Sequence, residues 1–278
     1  MTSKSMPLIK ETRIDRIQAT LRCISYHPFD RNKQRDCVMK LYPGKTEKSV
    51  FRGMVIPSLR HLGLVVGYAG GLRVSANGRI IIDSENMESA LHFDCLRAVM
   101  YEIDKAMFGF IDMLFNTTIS LADLKQTLAS SVSTPDTQLR ERIASWLSVL
   151  QQVGLLKGIE PKLLVNEAHR KKAAQDLDIT SLDSEEFRMT MFEEYAKLAQ
   201  GTAGIVDITD LRASVASVSL NRKLRLITEN MFDNLLRSIP FATDRYLISF
   251  GRPMGAEEKL FRYKEDHYRT ITIIPLKD

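Results

Sequence analysis

Asp244 and the run Glu257-Glu258-Lys259 have roughly the spacing of a metal-dependent nuclease centre. In such a centre two acids and a lysine hold Mg2+ beside a scissile phosphate. Residues 246–250 would supply the intervening strand. However, Gly255-Ala256 stands directly before Glu257, where that chemistry expects an apolar strand, so a solvated hairpin tip is the better reading. No catalytic residue is therefore assigned, and no cofactor is expected, Mg2+ entering only with a nuclease activity. Other chemistries leave weaker traces. The glycines of 63–71 lack the Gly-Lys-Ser/Thr ending of a phosphate loop, and Gly109 forms no Gly-x-Ser-x-Gly turn. His27, His61, His92, His169 and His267 form no zinc-helix pattern. Cys23, Cys37 and Cys95 contain no Cys-x-x-Cys pair. Their odd number and wide spacing predict reduced, structural thiols.

Recognition chemistry is better represented. The chain has 39 Lys and Arg against 34 Asp and Glu, a net of +5. Residues 1–80 hold 15 basic against 5 acidic side chains, residues 101–200 hold 11 against 15, and residues 201–278 hold 12 against 10. So basic an N-terminal third points to a polyanion partner. Arg pairs bidentately with guanine, and Asn or Gln with adenine, in the major groove of duplex DNA. Arg52, Gln138, Arg142, Asn230 and Asn234 are the base-reading candidates. Arg73, Arg79 and Lys157, in expected hairpins, suit phosphate contacts that set register. Lys45, Lys48, Ser49, Arg60, Asn77 and Arg237 complete the expected DNA-binding surface.

Three segments must position these side chains, and each runs helix, capped amphipathic helix, short hairpin. In the first, Ile14, Ile17, Leu21 and Ile24 recur at helical spacing. Residues 26–30 break that helix, a short one covers 36–41, and Pro43-Gly44 stops it. Thr46 then reads as an N-cap. Val50, Phe51, Met54, Val55, Leu59 and Leu62 form the inner face of the next helix, which Pro57 should kink or break. Apolar runs around Gly70-Gly71 predict a hairpin, and Ile80-Ile81-Ile82 reads as a strand of the same wing.

Residues 84–115 read as a helical connector. In the second segment Ser120 and Asp123 form a cap, and Pro135 opens a helix with Ile143, Trp146, Leu147 and Leu150 inward. Strands follow at 155–157 and 162–165, which limit a second small wing. Residues 168–179 are polar and basic, and 180–200 a helix. In the third segment 204–208 is strand-like, Thr209 or Asp210 caps a helix, and Thr228 caps another to 239. Strands 246–250 and 268–274 bracket a long polar excursion. The expected fold is mainly α with small β-hairpins, an α+β class of tandem winged-helix domains. Its divisions are 1–83 (first winged helix), 84–117 (connector), 118–167 (second), 168–200 (linker and helix) and 201–278 (third).

No apolar run approaches the ~20 residues that cross a bilayer, and residues 1–5 lack the apolar stretch of a signal peptide. A cytoplasmic protein with no membrane partner is expected.

The run from Val50 to Ile82, ending LRHLGLVV…LRVSANGRIIID, resembles the first winged helix in the recognition half of type IIS restriction endonucleases. Arg142-Ile-Ala-Ser-Trp-Leu-Ser-Val-Leu-Gln-Gln-Val-Gly-Leu-Leu-Lys157 resembles the second unit of that family. The likeness covers roughly residues 40–165, and its motifs recur in unrelated winged helices. It implies three stacked winged helices and a nuclease on a separate C-terminal domain, near where this chain ends. The function so implied is sequence-specific duplex DNA binding by a recognition subunit or region of a restriction or defence system. A separate nuclease or methyltransferase subunit is the implied partner. Two alternatives stand beside it: a winged-helix adaptor in a DNA-processing complex, and a metal-dependent nuclease.

Overall fold

A computed structural model describes residues 9–67, 71–103, 119–120, 123, 126, 136–153, 156–159, 162–165, 181–253 and 259–276. Helices dominate these residues and small antiparallel sheets join them, as the α+β expectation requires. None of the described helices is long and apolar enough to cross a membrane.

Helix α1 (Ile14–Tyr26) buries Ile14, Ile17, Leu21 and Ile24, the stripe its spacing predicts. Helix α2 (Arg31–Leu41) starts earlier than expected, because the Asp30 carboxylate accepts the Lys33 N–H at 3.0 Å and caps it. A disulfide joins Cys23 on α1 to Cys37 on α2, their Cα atoms 5.6 Å apart. This corrects the expectation of reduced thiols for that pair. Spacing along the chain does not report on pairing; the turn that lays α2 against α1 brings the two cysteines within bridging distance. Cys95 remains a free, buried thiol.

Thr46 is the expected cap, accepting the Ser49 N–H at 3.2 Å. A π-helical turn follows, Ser49–Met54, and runs straight into helix α3 (Val55–His61). Pro57 accounts for the wide turn. In a regular α-helix its ring would strike the carbonyl four residues back. A π turn displaces that carbonyl while the chain stays helical, with the Val55 N–H donating to Val50. Pro57 therefore reshapes the helix rather than ending it.

Strands β1 (Val65–Val66) and β2 (Arg73–Val74) pair antiparallel, as the glycine-centred hairpin predicts. The Gln34 side chain clamps them to α2, donating to the Leu72 carbonyl at 2.7 Å and accepting its N–H at 2.9 Å. The run 80–82 is not a strand. It belongs to helix α4 (Ala76–Asp83), which Ser75 caps through its hydroxyl on the Gly78 N–H at 3.1 Å. Consecutive isoleucines favour a strand locally, but here the cap starts a helix and the core takes Ile80 and Ile81 completely. Gly78 permits the packing, since a Cβ there would collide with the Leu64 carbonyl and the Val74 side chain.

Helix α5 (Ser89–Ile103) lies within the predicted connector. Strand β3 (Ile119–Ser120), helix α6 (Asp136–Gln152) and strands β4 (Leu156–Ile159) and β5 (Lys162–Val165) follow. Their sheet order is β3-β5-β4. Asp183 caps helix α7 (Ser184–Ala199). Strand β6 (Val206–Asp207) leads into helix α8 (Ile208–Lys223), which Asp207 caps rather than Thr209 or Asp210. Thr228 caps helix α9 (Glu229–Ser238) as expected. Strands β7 (Tyr246–Gly251) and β10 (Thr270–Pro275) pair along their whole length, and the sheet order is β6-β10-β7. Between them, β8 (Phe261–Tyr263) and β9 (Asp266–Tyr268) form a separate hairpin inside the predicted polar excursion. The expected helix opening at Pro135, the aromatics at 108–115 and the basic stretch at 168–179 lie outside the described residues.

Among the described residues nearly all buried apolar side chains fall into two cores. One joins α1 to α5 with α6, whose Ile143 and Trp146 are fully buried in it. Gln152 on α6 fastens the helix to the start of α1, accepting the Ile14 N–H at 2.9 Å and donating to the Thr12 carbonyl at 2.8 Å. The other core joins α7 and α9 to the β6-β10-β7 sheet. Helix α8 serves both, giving Leu211 and Val215 to the second and Ala216 and Leu220 to the first. It lies close along α4, with small Ala216 buried in the core they share. A helix buried on two sides has no single polar face, so its sequence reads poorly as amphipathic.

Candidate nucleic-acid interface

Lys45, Lys48 and Arg52 stand exposed at the head of the helical stretch that ends at His61. Among the described residues none of the three has a partner for its charge. Their position follows from the helix's inner face: Val50, Val55, Ile56 and Leu59 are buried, which turns the cations outward. Ser49 is half-buried and spends its hydroxyl on the Met54 sulfur at 3.3 Å. Helix α2 adds exposed Arg31, Lys33 and Lys40, of which Lys33 pairs with Asp30 at 3.3 Å. Sequence reasoning counted these three in the basic N-terminal third but did not single them out. The cap at Asp30, which extends α2 back to include Arg31 and Lys33, was the missed signal.

The other N-terminal candidates are occupied. Arg60, on α3, donates to the Gly67 carbonyl at the end of β1. Arg73 lies between Asp207 at 3.2 Å and Asp210 at 2.9 Å, with its guanidinium over the Phe29 ring. Burial pushes the Asp207 carboxyl up, but Arg73, the Thr209 N–H and Arg269 together outweigh burial and hold it below the ordinary aspartate value. Burial dominates at Asp210 and leaves its carboxyl raised despite Arg73. Arg73 is thus a tie from the β1–β2 hairpin to the β6–α8 corner, not a free wing cation. Asn77 is buried in α4, donating to Glu102 at 3.1 Å and accepting the Glu229 N–H at 3.0 Å. Arg79 bonds Asp83 at 3.0 Å and the Ser25 hydroxyl at 2.9 Å.

Between α4, α5, α8 and α9 lies a polar seam around a cavity of about 310 Å3. Arg212, 2% exposed, meets both carboxylate oxygens of Asp233 at 2.8 Å and the Lys259 carbonyl at 2.6 Å. Lys259 bonds Glu229 and the Gly63 carbonyl. Glu102 accepts from Asn77, the Thr228 hydroxyl and the Asn230 N–H, while burial holds its carboxyl above the ordinary glutamate value. Sequence reasoning missed Glu102 and Arg212, because their partners lie 126 and 21 residues away.

The outer face of α9 touches this seam only through Asn230, whose backbone N–H serves Glu102. Asn230, Asn234 and Arg237 are exposed on it, whereas Glu229 and Asp233 turn inward to their cations. Arg237 donates through Nε to the Arg262 carbonyl on β8 and through Nη1 to Asn234 Oδ1, both at 2.9 Å. Its guanidinium also covers the Phe261 ring, 5.3 Å from its centre.

On the second segment Arg142 is half-buried on α6. Gln138 falls on α6 and Lys157 on β4, but their side chains lie outside the described residues. Of the nuclease-like set, Asp244 is exposed beyond the Tyr246 end of β7, and Lys259 is held in the seam described above. Glu257 lies outside the described residues. Among those residues no three His, Cys, Asp or Glu side chains are grouped to hold a metal. No protein-family model matches this chain, and neither a curated protein nor a solved structure matches it.

Proposed function

We propose that this chain binds double-stranded DNA through winged-helix units and acts as the recognition subunit or region of a restriction or defence system. The observation that carries the reading is the unpaired set of Lys45, Lys48 and Arg52, exposed at and just before the start of one helix. Arg60, Arg73 and Arg79 are bonded inside the molecule, whereas these three charges, like those of Arg31 and Lys40 on α2, are not consumed by the fold among the described residues. Two sheets support the winged-helix reading: in β3-β5-β4 and in β6-β10-β7 the last strand lies between the first two. Helices α8 and α9 sit between β6 and β7 in the chain, and the β8–β9 hairpin lies between β7 and β10, the place of a wing. Exposed Asn and Arg on α9 suit base edges, and exposed Lys near Thr46 suits phosphates.

The test is equilibrium binding of the purified chain to a labelled random-sequence duplex across a salt series. Phosphate neutralisation predicts affinity falling with salt on a log–log slope of several units. A flat response, or no binding to duplex at low salt, would sink the proposal.

A protein-assembly reading keeps one observation of its own. Leu247 and Ile274 are cross-strand neighbours on the outer face of the β6-β10-β7 sheet, 39% and 44% exposed, with Leu276 beside them at 43%. Apolar side chains gathered on an outer face suit a protein partner, such as a separate nuclease or methyltransferase subunit. Co-elution with such a subunit, abolished by Leu247→Glu, distinguishes this reading from DNA binding alone.

A further inference from the structure

We infer that Asn234 reads an adenine of the duplex and that Arg237 is its positioning residue, an assignment that rests on the DNA-binding reading above. Asn234 is exposed in the middle of α9, one turn beyond Asn230 and on the same face. Its amide has a donor half and an acceptor half, and which half faces outward is ordinarily free to change. Here Arg237 settles it. A guanidinium only donates, so the group it meets at 2.9 Å is the amide oxygen and cannot be the NH2. Turning the amide over would set N–H against N–H.

Arg237 is itself immobilised. Its Nε–H goes to the Arg262 carbonyl on β8, and its guanidinium carbon lies over the ring of Phe261, which is fully buried. The hairpin thereby fixes the arginine, and the arginine fixes the asparagine. A carbonyl oxygen has two lone pairs, so Asn234 Oδ1 keeps one for a ligand. Its Nδ2 has no partner among the described residues. One acceptor beside one donor matches adenine, which offers the N6 amino group and the N7 lone pair side by side. Guanine offers O6 and N7, both acceptors. An unrestrained asparagine adapts to guanine by rotating; one pinned by Arg237 confronts O6 with its own oxygen. Arg237 therefore contributes selectivity for adenine over guanine more than affinity. Its remaining role as a free cation is small, because Asp233 also lies 3.9 Å from Nη2.

The experiment begins with the full chain and a pool of random-sequence duplexes. A bound duplex is selected, and each A·T pair is changed in turn to G·C. In the wild type, one adenine position should show a loss of roughly 5- to 150-fold on conversion to guanine, the range of one bidentate contact. Asn234→Ala should flatten that position and leave the others unchanged. Arg237→Lys, which keeps the charge but cannot hold both the Arg262 carbonyl and Asn234 in one plane, should flatten the same position while affinity for the selected duplex falls little. The double variant should be no flatter there than Asn234→Ala alone. An unchanged profile in Asn234→Ala overturns the assignment. So does an Arg237→Lys variant that weakens every duplex equally, the mark of a phosphate contact. Failure to enrich or bind any duplex rejects the DNA-binding reading itself and is distinct from either result.

Discussion

Lys45 and Lys48 offer the most direct measure of whether the free N-terminal charges meet phosphates. Both are exposed and, among the described residues, unpaired. Replacing both with Gln removes two cations without emptying any core position. If each neutralises one phosphate, the log–log salt slope of duplex binding should fall by about 1.8. Raising salt from about 50 to about 200 mM should then cost the wild type roughly 12-fold more affinity than it costs the variant. Arg73→Gln is the control. Its charge is already taken by Asp207 and Asp210 at 3.2 and 2.9 Å, so the slope should stay at the wild-type value even if the fold is weakened. Fluorescence anisotropy of a labelled duplex reads both, with circular dichroism checking that each variant is folded. A Lys45→Gln/Lys48→Gln variant with the wild-type slope would refute the reasoning, as would an Arg73→Gln variant whose slope drops as far.

Four further outcomes follow from the same contacts. Arg52→Ala should cost about 1–3 kcal/mol on a preferred duplex and relax its sequence preference; equal weakening on every duplex would make Arg52 a phosphate contact. Arg212→Ala leaves Asp233 buried without its bidentate partner. Urea unfolding should show a loss of about 3–5 kcal/mol, and a loss under about 1 kcal/mol would show that Asp233 finds solvent or another cation. Reducing the Cys23–Cys37 bridge, whose cysteines are 14 residues apart, should lower stability by about 3 kcal/mol; an unchanged urea midpoint with dithiothreitol would show that the bridge constrains little.

The fourth outcome is a pH dependence. Burial raises the Glu102 carboxyl above its ordinary 4.5, against the opposing bonds from Thr228, Asn77 and Asn230. The native state then holds the proton more tightly than the unfolded one. The stability owed to Glu102 therefore rises as pH falls from neutral through the raised value, and levels off below 4.5. Glu102→Gln should remove that rise, seen as a pH-dependent gap between the two urea midpoints. A gap constant from pH 7 to pH 4 would reject it.

The elements whose reasons are local were legible in the sequence. The stripe of Ile14, Ile17, Leu21 and Ile24 wrote α1, and Thr46 and Thr228 marked two helix starts. The glycine-centred hairpin and the paired strands β7 and β10 were visible for the same reason: each needs only a turn and a period. The α+β class and the placing of Lys48 and Arg52 on a helix surface follow from such short-range patterns.

Contacts between distant residues decided the rest. Ile80, Ile81 and Ile82 carry strand propensity, yet Ser75 and the space beside Gly78 make them helical. Cys23 and Cys37 look unrelated until α1 and α2 pack together. Arg73, Asn77 and Arg79 have the chemistry of phosphate and base contacts, but Asp207, Glu102, Glu229 and Asp83 claim them. Whether a charged side chain faces water or another part of the chain depends on which surfaces meet when α8 settles against α4. A residue's type establishes what it is able to bind; its burial and its partners establish whether it is free to do so.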